Sequence, residues 1–292
     1  MFDNIIAYIY IFVNTIFDFY KDNCVGNSEN KILIITAGGD GTSHEVQSAL
    51  IKLINESEEN KKNITKDFCV FRLPFGTGND GSDGRNLEES LLRLNFPAHI
   101  ELQKAVKVSC QGKNSKKDSW FAFNIASIGI DAFITHMTNK MKSKLPGDFY
   151  KLWVDLACVF YTWFYKKVPA FMELFKENNS IATYDNKIEF ALLGSSGHRT
   201  YGSNHLILPT DENCCITESV SLIKKLIIKH HFNDGTHYGK PYSVFYDADK
   251  IKIAYDEKIL LQLDGESHLL TKDSFPTVME LTEPLIPVIV LD

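Results

Sequence analysis

Two glycine-rich turns, each directly after an apolar run and directly before a helical pattern, constrain this chain more than any other feature. The run 32–36 (ILIIT) precedes GGDGT at 38–42, and the run 68–75 (FCVFRLPF) precedes GTGND at 76–80. Continuous apolar, β-branched runs are typical of buried parallel strands, which need crossover connections such as helices. The repeats therefore predict a parallel α/β layer in which both turns leave the same carboxyl edge, where ligands bind in such sheets.

The chain beyond Pro97 has a different pattern. Short runs with partial alternation are separated by Gly, Asn, Asp and Ser, which predicts an antiparallel sandwich or barrel. A length of 292 residues allows one large or two medium domains. We predict an α/β domain with a parallel sheet over residues 1–97 and a β-sandwich domain over residues 98–292, with the last strand a candidate to return to the first domain.

Composition excludes several classes of protein. Hydrophobic residues make up 44% and charged residues 23%, which is ordinary for a globular chain and excludes disorder. The net charge of -6 argues against nucleic-acid binding, which needs a basic face. The six cysteines form no CxxC pair, so we interpret them as reduced thiols of a cytosolic protein.

Two aromatic stretches, 5–20 and 150–165, bear on membrane contact. Their best apolar runs, Ile5–Val13 and Leu152–Tyr165, are both shorter than the roughly 20 residues of a spanning helix. We therefore predict no transmembrane helix and interpret both stretches as helices packed on a sheet. A membrane-surface contact is the alternative for each.

The first turn has the residues expected around a phosphate. Glycines let the backbone approach a bulky anion, and the N-terminus of the following helix supplies amide donors. Asp40 would repel bare phosphate, so it is a candidate partner for Mg²⁺ or an acceptor for a hydroxyl proton. Thr42 can cap the helix and touch phosphate. For this turn alone, a plain capped strand-to-helix turn is the alternative.

The second turn repeats the pattern of glycines, a hydroxyl and an acid after a strand. Two such loops on one edge are difficult to explain by folding alone. The chain contains no GxxxxGK[ST] motif, so phosphates would be held without a P-loop lysine.

Together these motifs resemble the diacylglycerol kinase catalytic-domain family, which includes sphingosine, ceramide and bacterial lipid kinases. Further segments match in the family's order: 123–132 (FNIASIGIDA) resembles FN-x-x-S-x-G-x-DA, Tyr201-Gly202-Ser203 before Pro209 resembles a glycine-rich stretch, and Asp264-Gly265-Glu266 resembles the C-terminal DGE. The resemblance covers roughly residues 31–292. It implies a nucleotide-binding α/β domain and a β-rich lipid-substrate domain, with ATP in the cleft.

The resemblance also implies roles for individual residues. Asp40 would lie near the Mg²⁺ of ATP, and Asp264 or Glu266 would be the base that accepts the proton of the lipid hydroxyl. The choice between these two carboxylates is open, and a simple β-turn is the alternative for the DGE segment. The implied nucleotide contacts are Gly38, Gly39, Asp40, Gly41, Thr42, Ser43, His44, Glu45, Gly76, Thr77, Gly78, Asn79 and Asp80.

The chain departs from the family's pattern in three places, one of which is GSDGR at 81–85, where most members have an aromatic residue after GTGND. Members normally have an Asn-Pro phosphate loop upstream of GGDGT, and this sequence has none there. Many bacterial members have a P-x-A-x-x-x-D-G segment for a structural Mg²⁺, where this chain has PTDEN at 209–213. Asp211 is the candidate ligand at that position.

From these observations we expect a cytoplasmic, peripherally membrane-associated kinase that uses ATP and Mg²⁺. It would phosphorylate the hydroxyl of a lipid, with diacylglycerol the leading acceptor and phosphatidic acid the product, and a homodimer is a candidate assembly. One alternative is a sphingosine- or phosphatidylglycerol-type lipid kinase. Others are a catalytically impaired regulatory or lipid-binding member of the same fold, and a kinase of soluble NAD- or sugar-type substrates.

Overall fold

The computed structural model describes residues 2–24, 31–76, 86–94, 98–112, 119–141, 156, 159–201 and 205–291. The chain forms two units, the first containing Met1–Ala105 and Thr282–Asp292 and the second containing Val106–Leu281. The helices are α1 Phe2–Asn23, α2 Asp40–Glu56, α3 Glu58–Asp67, α4 Leu87–Arg93, α5 Ile130–Met141 and α6 Leu222–Ile228. Residues 159–164 are also helical, and Lys229–Phe232 and Lys272–Ser274 are 3₁₀ turns.

The strands are β1 Ile32–Gly38, β2 Phe68–Pro74, β3 Ala98–Gln103, β4 Val106–Cys110, β5 Ser119–Ala122, β6 Ile125–Gly129, β7 Pro169–Lys176, β8 Asn179–Gly194, β9 Arg199–Tyr201, β10 His205–Leu208, β11 Cys214–Glu218, β12 Ser243–Tyr246, β13 Lys250–Ala254, β14 Ile259–Leu263, β15 Glu266–Leu270, β16 Thr277–Leu281 and β17 Ile286–Leu291.

The sheet of the first unit has the strand order β1-β2-β17-β3. Strands β1 and β2 are parallel from Ile32↔Phe68 to Gly38↔Pro74, and β17 is parallel to β2 but antiparallel to β3. The last strand thus lies in the first unit. The sequence analysis placed a boundary at 97/98, whereas β3 belongs to this first sheet and the unit continues to Ala105.

The core of the first unit lies between this sheet and helices α1 and α2. Val13 and Phe17 of α1 are buried with Leu50 of α2 and Phe68 of β2. Strand β2 is buried from Phe68 to Arg72, as its apolar run predicts, but β1 buries only alternate residues and leaves Leu33 and Ile35 exposed. Strand β1 lies at the edge of this sheet, and its two faces differ in burial.

The second unit is antiparallel: its two large sheets share the long strand β8, and β9 and β10 form a separate two-stranded sheet. The first part of β8 pairs with β7, and its last part pairs with β6 and β11. Side chains alternate along the strands: Cys214 and Ile216 lie in the core between the sheets, whereas Cys215 lies in an outer cluster with Phe133 of α5. This architecture confirms the predicted fold class of an α/β domain with a parallel strand pair and a β-sandwich domain.

The sequence predicts reduced cysteines and no transmembrane helix, and the described residues bear on both predictions. The described cysteines, which are Cys24, Cys69, Cys110, Cys214 and Cys215, are all buried thiols rather than disulfides. Within the same ranges, none of the helices has the apolar length that a bilayer span requires.

Candidate functional site

The two glycine turns meet at the carboxyl edge of the β1–β2 pair. Gly38 and Pro74 are partners in the parallel register, and the amide of Phe75 donates to the carbonyl of Gly38 at 3.1 Å. A Cβ atom placed on Gly39 would lie 3.1 Å from the Cα atom of Gly76. The backbones at Gly39 and Gly76 are therefore direct neighbours, and a side chain on Gly39 would force the Gly76 backbone to shift by a few tenths of an ångström.

Gly38 is needed for a second reason. A Cβ atom at this position would lie 2.5 Å from Oγ1 of Thr42, one turn into α2. Any larger residue would displace the Thr42 side chain from the end of the strand. The glycine thus lets the helix begin immediately after the strand, with Thr42 against the turn.

The N-terminus of α2 has no side-chain cap. Its N-cap residue is Gly39, whose carbonyl accepts from the amides of Thr42 at 3.0 Å and Ser43 at 3.3 Å. By contrast, the side chains of Ser57, Asn86 and Ser221 cap α3, α4 and α6. An uncapped helix start keeps the first amides and the positive end of the helix dipole available to an anion.

Among the side chains of the first turns of α2, Ser43 joins the helix to β1, whereas Asp40 and Thr42 lie at the helix start. Ser43 Oγ lies 3.0 Å from Thr36 Oγ1, both residues are buried, and Gln47 Nε2 donates to the Ser43 carbonyl at 3.1 Å. Ser43, a predicted nucleotide contact, thus joins the helix to β1 through its hydroxyl. Asp40 and Thr42 are half-buried at the helix start.

Two further predicted contacts follow in α2. His44 Nδ1 lies 3.9 Å from Glu45 Oε1, and both side chains are partly exposed. The remaining predicted nucleotide contacts, Thr77, Gly78, Asn79 and Asp80, lie outside the described residues, so their roles stay predictions.

An apolar hollow of about 350 Å³ lies beside the first turn. It is lined by Ile9 and Phe12 of α1, by Ile34–Ala37 of β1, and by Thr42 and Val46 of α2. The volume is in the range of small-ligand pockets, and the walls are apolar except for the two threonines. The hollow can therefore accept a small, weakly polar group beside the start of α2.

The DGE segment of the second unit forms the turn of a two-residue hairpin. Leu263 of β14 pairs with Glu266 of β15, and the residues between them, Asp264 and Gly265, have φ angles of 48° and 94°. Positive φ at both positions is the geometry of a type I′ turn, for which Asp-Gly is a preferred pair. Glu266, the first residue of β15, is exposed.

The carboxylate of Asp264 accepts hydrogen bonds from three successive backbone amides. Oδ2 accepts from Phe123 at 2.5 Å, and Oδ1 accepts from Asn124 and Ile125 at 3.0 Å each. In turn, Asn124 Nδ2 donates to the carbonyl of Thr200 at 2.8 Å. Three segments far apart in sequence, around 123, 200 and 264, thus come together at this turn. Sequence reasoning identified the FN and DGE segments separately but gave no signal that one binds the other.

Helix α5 supports the turn from its other side. Asn139 Nδ2 donates to the carbonyl of Gly265 at 2.7 Å, and His136 Nδ1 lies 3.0 Å from Ser267 Oγ. Burial, and secondarily Lys140, lowers the pKa of His136. Neither contact was expected from the sequence, because His136 and Asn139 belong to no motif in it.

A buried carboxyl group lies at the start of α5. Asp131 accepts a short hydrogen bond from Ser127 Oγ and is also hydrogen-bonded by the Tyr201 side chain. Burial raises the pKa of Asp131 to about 6, although these hydrogen bonds act in the opposite direction. Gly129, which lies between Ser127 and Asp131 in the sequence, has φ +121° and lies against the backbone of Glu189. The SIGID segment therefore has a structural role in joining β6 to α5.

The candidate metal ligands, Asp40 and Asp211, each offer one carboxylate. Asp211 is exposed and pairs with His198 Nε2 at 2.9 Å. In the part of the chain that the structure describes, no three His, Cys, Asp or Glu side chains are arranged as a metal site. Magnesium often binds through one or two carboxylates together with the phosphates of a nucleotide. Asp40, a half-buried carboxylate at the start of α2, is the candidate for that mode.

Comparisons with known proteins give the fold. No family model matches the sequence. Among solved structures, two Bacillus anthracis str. Sterne proteins described as candidate diacylglycerol kinases are similar, one with TM-score 0.58, 16% identity and coverage of 93% of this chain and 82% of that chain. The other has TM-score 0.54, 20% identity and coverage of 88% of this chain and 76% of that chain.

A third B. anthracis structure, described as a diacylglycerol kinase, has TM-score 0.53, 16% identity and coverage of 89% of this chain and 76% of that chain. These likenesses extend over most of each chain. The chain therefore has a diacylglycerol kinase-like fold.

Proposed function

We propose that this chain is an ATP-dependent lipid kinase that transfers the γ-phosphoryl group to the hydroxyl of a lipid, with diacylglycerol as the leading acceptor. The observation that carries the proposal is the apposition of Gly39 and Gly76, which brings two glycine turns and an uncapped helix start together at one sheet edge. The kinase-like fold adds support.

The proposal assigns the nucleotide to the first unit. The amides at the start of α2 and the glycine backbone would bind the phosphates, since no side chain caps the helix start. The apolar hollow beside Thr42 would take the purine ring. Asp40 would hold Mg²⁺, which when bound neutralises phosphate charge in this class of reaction.

The proposal assigns the acceptor hydroxyl to the DGE segment of the second unit. During transfer the hydroxyl oxygen bonds to the γ-phosphorus, the bond from that phosphorus to ADP breaks, and a carboxylate takes the hydroxyl proton. We assign this proton to Glu266, which is exposed directly after the turn. Asp264 is then a positioning residue, because three amide donors stabilise its charged form and weaken it as a base.

An acceptor panel tests the proposal. The purified chain would be incubated with ATP and Mg²⁺ and, in separate reactions, with vesicles containing diacylglycerol, sphingosine or phosphatidylglycerol, or with NAD or a sugar in solution. Phosphorylation of diacylglycerol above all others supports the proposal. Phosphorylation of another lipid would change the acceptor but not the class, whereas phosphorylation of only the soluble acceptors would contradict it.

A further inference from the structure

Helix α6 exposes its apolar side chains and buries a lysine, which is the reverse of an ordinary surface helix. Ile223 and Ile227 are 74% and 63% exposed, and their neighbours Leu222 and Leu226 are exposed as well. Lys225, on the opposite side of the helix, is only 6% exposed. A surface helix normally turns its apolar stripe toward the core and its charges toward water. Among the residues that the structure describes, no element covers the apolar side of α6 as a core normally would.

A buried ion cluster fixes this orientation. Lys225 Nζ lies 3.1 Å from Glu189 Oε2, and Lys167 Nζ lies 2.5 Å from the same carboxylate. The amide of Val220, just before α6, donates to Glu189 Oε1 at 3.0 Å. Buried charges must be paired. If α6 were rotated to bury Ile223 and Ile227, Glu189 would lose its contact with Lys225, and breaking a buried ion pair in this way is strongly destabilising. The outward position of the isoleucines is thus specified by the fold.

A second exposed apolar segment precedes Lys167, the other lysine that pairs with Glu189. Lys167 follows directly on residues 159–165, in which Trp163 is 78% exposed and Phe164 is also exposed. Phe164 packs on Phe133 of α5 at 6.0 Å between ring centroids. Phe133 belongs to the outer cluster of the second unit, against which Phe232, just after α6, also packs. Both segments therefore cover the same outer face of the sandwich.

We define the apolar face as the exposed side chains Trp163, Phe164, Leu222, Ile223, Leu226 and Ile227. The charges in its two segments are all of one sign. Residues 159–168 and 221–231 contain five lysines and neither Asp nor Glu, although the whole chain has a net charge of -6. Lys167 and Lys225 are buried against Glu189, and Lys166 pairs with Glu257 at 2.8 Å. Five lysines against these two carboxylates still leave the two segments with a net positive charge, and Lys224 is exposed beside the apolar side chains.

We propose that the apolar face is a docking surface for an anionic lipid bilayer. Exposed Trp, Leu and Ile side chains partition into the headgroup–acyl boundary, and lysines around them are attracted to anionic lipids. The same charge argues against a second copy as the occupant, because a two-fold interface would bring the lysines of both copies together. The inference rests on the proposed function only in that a lipid acceptor is reached from a bilayer.

Vesicle co-sedimentation of the full chain, without nucleotide, tests the docking surface. The lipids would be phosphatidylcholine alone and phosphatidylcholine with phosphatidylserine. We expect binding to the anionic vesicles, weakened by added salt, and at least about a tenfold loss of partitioning in the double variant Ile223→Ser/Ile227→Ser. Lys224→Glu should reduce binding to the anionic vesicles and leave binding to neutral ones unchanged.

The matched control is Ile181→Ser, which replaces an exposed isoleucine of β8 outside the apolar face and should bind as wild type does. Because the replaced side chains are exposed, circular dichroism and thermal unfolding should be unchanged in every variant. Equal binding by wild type and the double variant would overturn the inference. So would an absence of anionic-vesicle binding in the wild type, or the loss of a dimer in sedimentation velocity of the double variant.

A parallel assay separates this inference from the proposed function. Turnover would be measured on a short-chain diacylglycerol in detergent micelles, where docking on a bilayer is not required. Vesicle binding without any turnover would contradict only the proposed function. Turnover in micelles, together with vesicle binding that is insensitive to the apolar-face variants, would contradict only the docking surface.

Discussion

Gly39 and Gly76 are backbone neighbours although they follow different strands: a Cβ atom on Gly39 would lie 3.1 Å from the Cα atom of Gly76. This contact follows from the parallel register of β1 and β2, which aligns Gly38 with Pro74. Because glycine occupies both positions, the backbone itself lies at this point of the sheet edge, next to the start of α2. Such an edge is suited to a large anion.

Replacing Gly38 by alanine should damage this edge. The new Cβ atom would lie 2.5 Å from Thr42 Oγ1, so Thr42 must move. We expect a loss of about 1–3 kcal/mol in the free energy of unfolding and a weaker affinity for ATP. Urea unfolding and calorimetry measure the two effects. Gly239→Ala is the control, because no atom lies within 4 Å of its added Cβ; it should lose stability only through its φ of +71° and keep its ATP affinity.

The two carboxylates of the DGE segment should separate in their effects. Asp264→Asn places an amide nitrogen among three backbone donors, so we expect a stability loss of about 1–3 kcal/mol in urea unfolding. Glu266→Gln should leave the free energy of unfolding nearly unchanged and abolish the proposed turnover, because Glu266 is exposed and is the proposed base. The exposed Asp273→Asn is the control. Full turnover by Glu266→Gln would contradict the assignment.

The raised pKa of Asp131 predicts that the free energy of unfolding depends on pH. Burial raises its pKa to about 6 from an ordinary value of 3.8, so the folded state binds a proton that the unfolded state has already released between these values. The stabilising contribution is complete below pH 3.8 and is lost as the pH rises through 6.

The variant Asp131→Asn removes this titration. Its stability relative to wild type should therefore increase by on the order of 2–3 kcal/mol from pH 4 to pH 7. Urea unfolding across this range measures the difference. A constant difference at all pH values would show that Asp131 has the same pKa in both states.

Glu189 should be among the most sensitive positions in the second unit. Glu189→Gln leaves Lys167 and Lys225 buried without their counter-charge, and we expect a loss of about 3–5 kcal/mol in the free energy of unfolding. Lys225→Met should cost less, because the Lys167–Glu189 pair remains and the methionine stem fills a similar volume. Similar losses in the two variants would contradict this view of the cluster.

The sequence predicted the parts of the fold that local patterns determine. The strand–turn–helix repeat gave β1, β2 and the glycine edge, and the alternating runs after Pro97 gave the antiparallel domain. The exposure of Leu33 and Ile35 was not predictable, because it depends on what packs on each face of β1 rather than on the composition of the strand.

The contacts that sequence reasoning missed join residues that are distant in the chain. Asp264 binds the amides of Phe123–Ile125, and Lys225 turns inward because Glu189 receives it there. Neither pairing leaves a periodic signal, and the composition of α6 alone would place Ile223 and Ile227 in the core with Ile228. Tertiary ion pairing therefore overrides the local pattern at α6.

Transfer of labelled phosphate from the γ-position of ATP to diacylglycerol tests the central claim most directly. The full chain with Mg²⁺ and diacylglycerol vesicles should form labelled phosphatidic acid. Asp40→Asn should reduce the rate by at least about a hundredfold, because the carboxylate at the phosphate turn is lost. Asp22→Asn, which changes an exposed acid of α1, should match wild type. ATP-dependent labelling that survives unchanged in Asp40→Asn, or no labelling of any lipid by the wild type, would contradict the account.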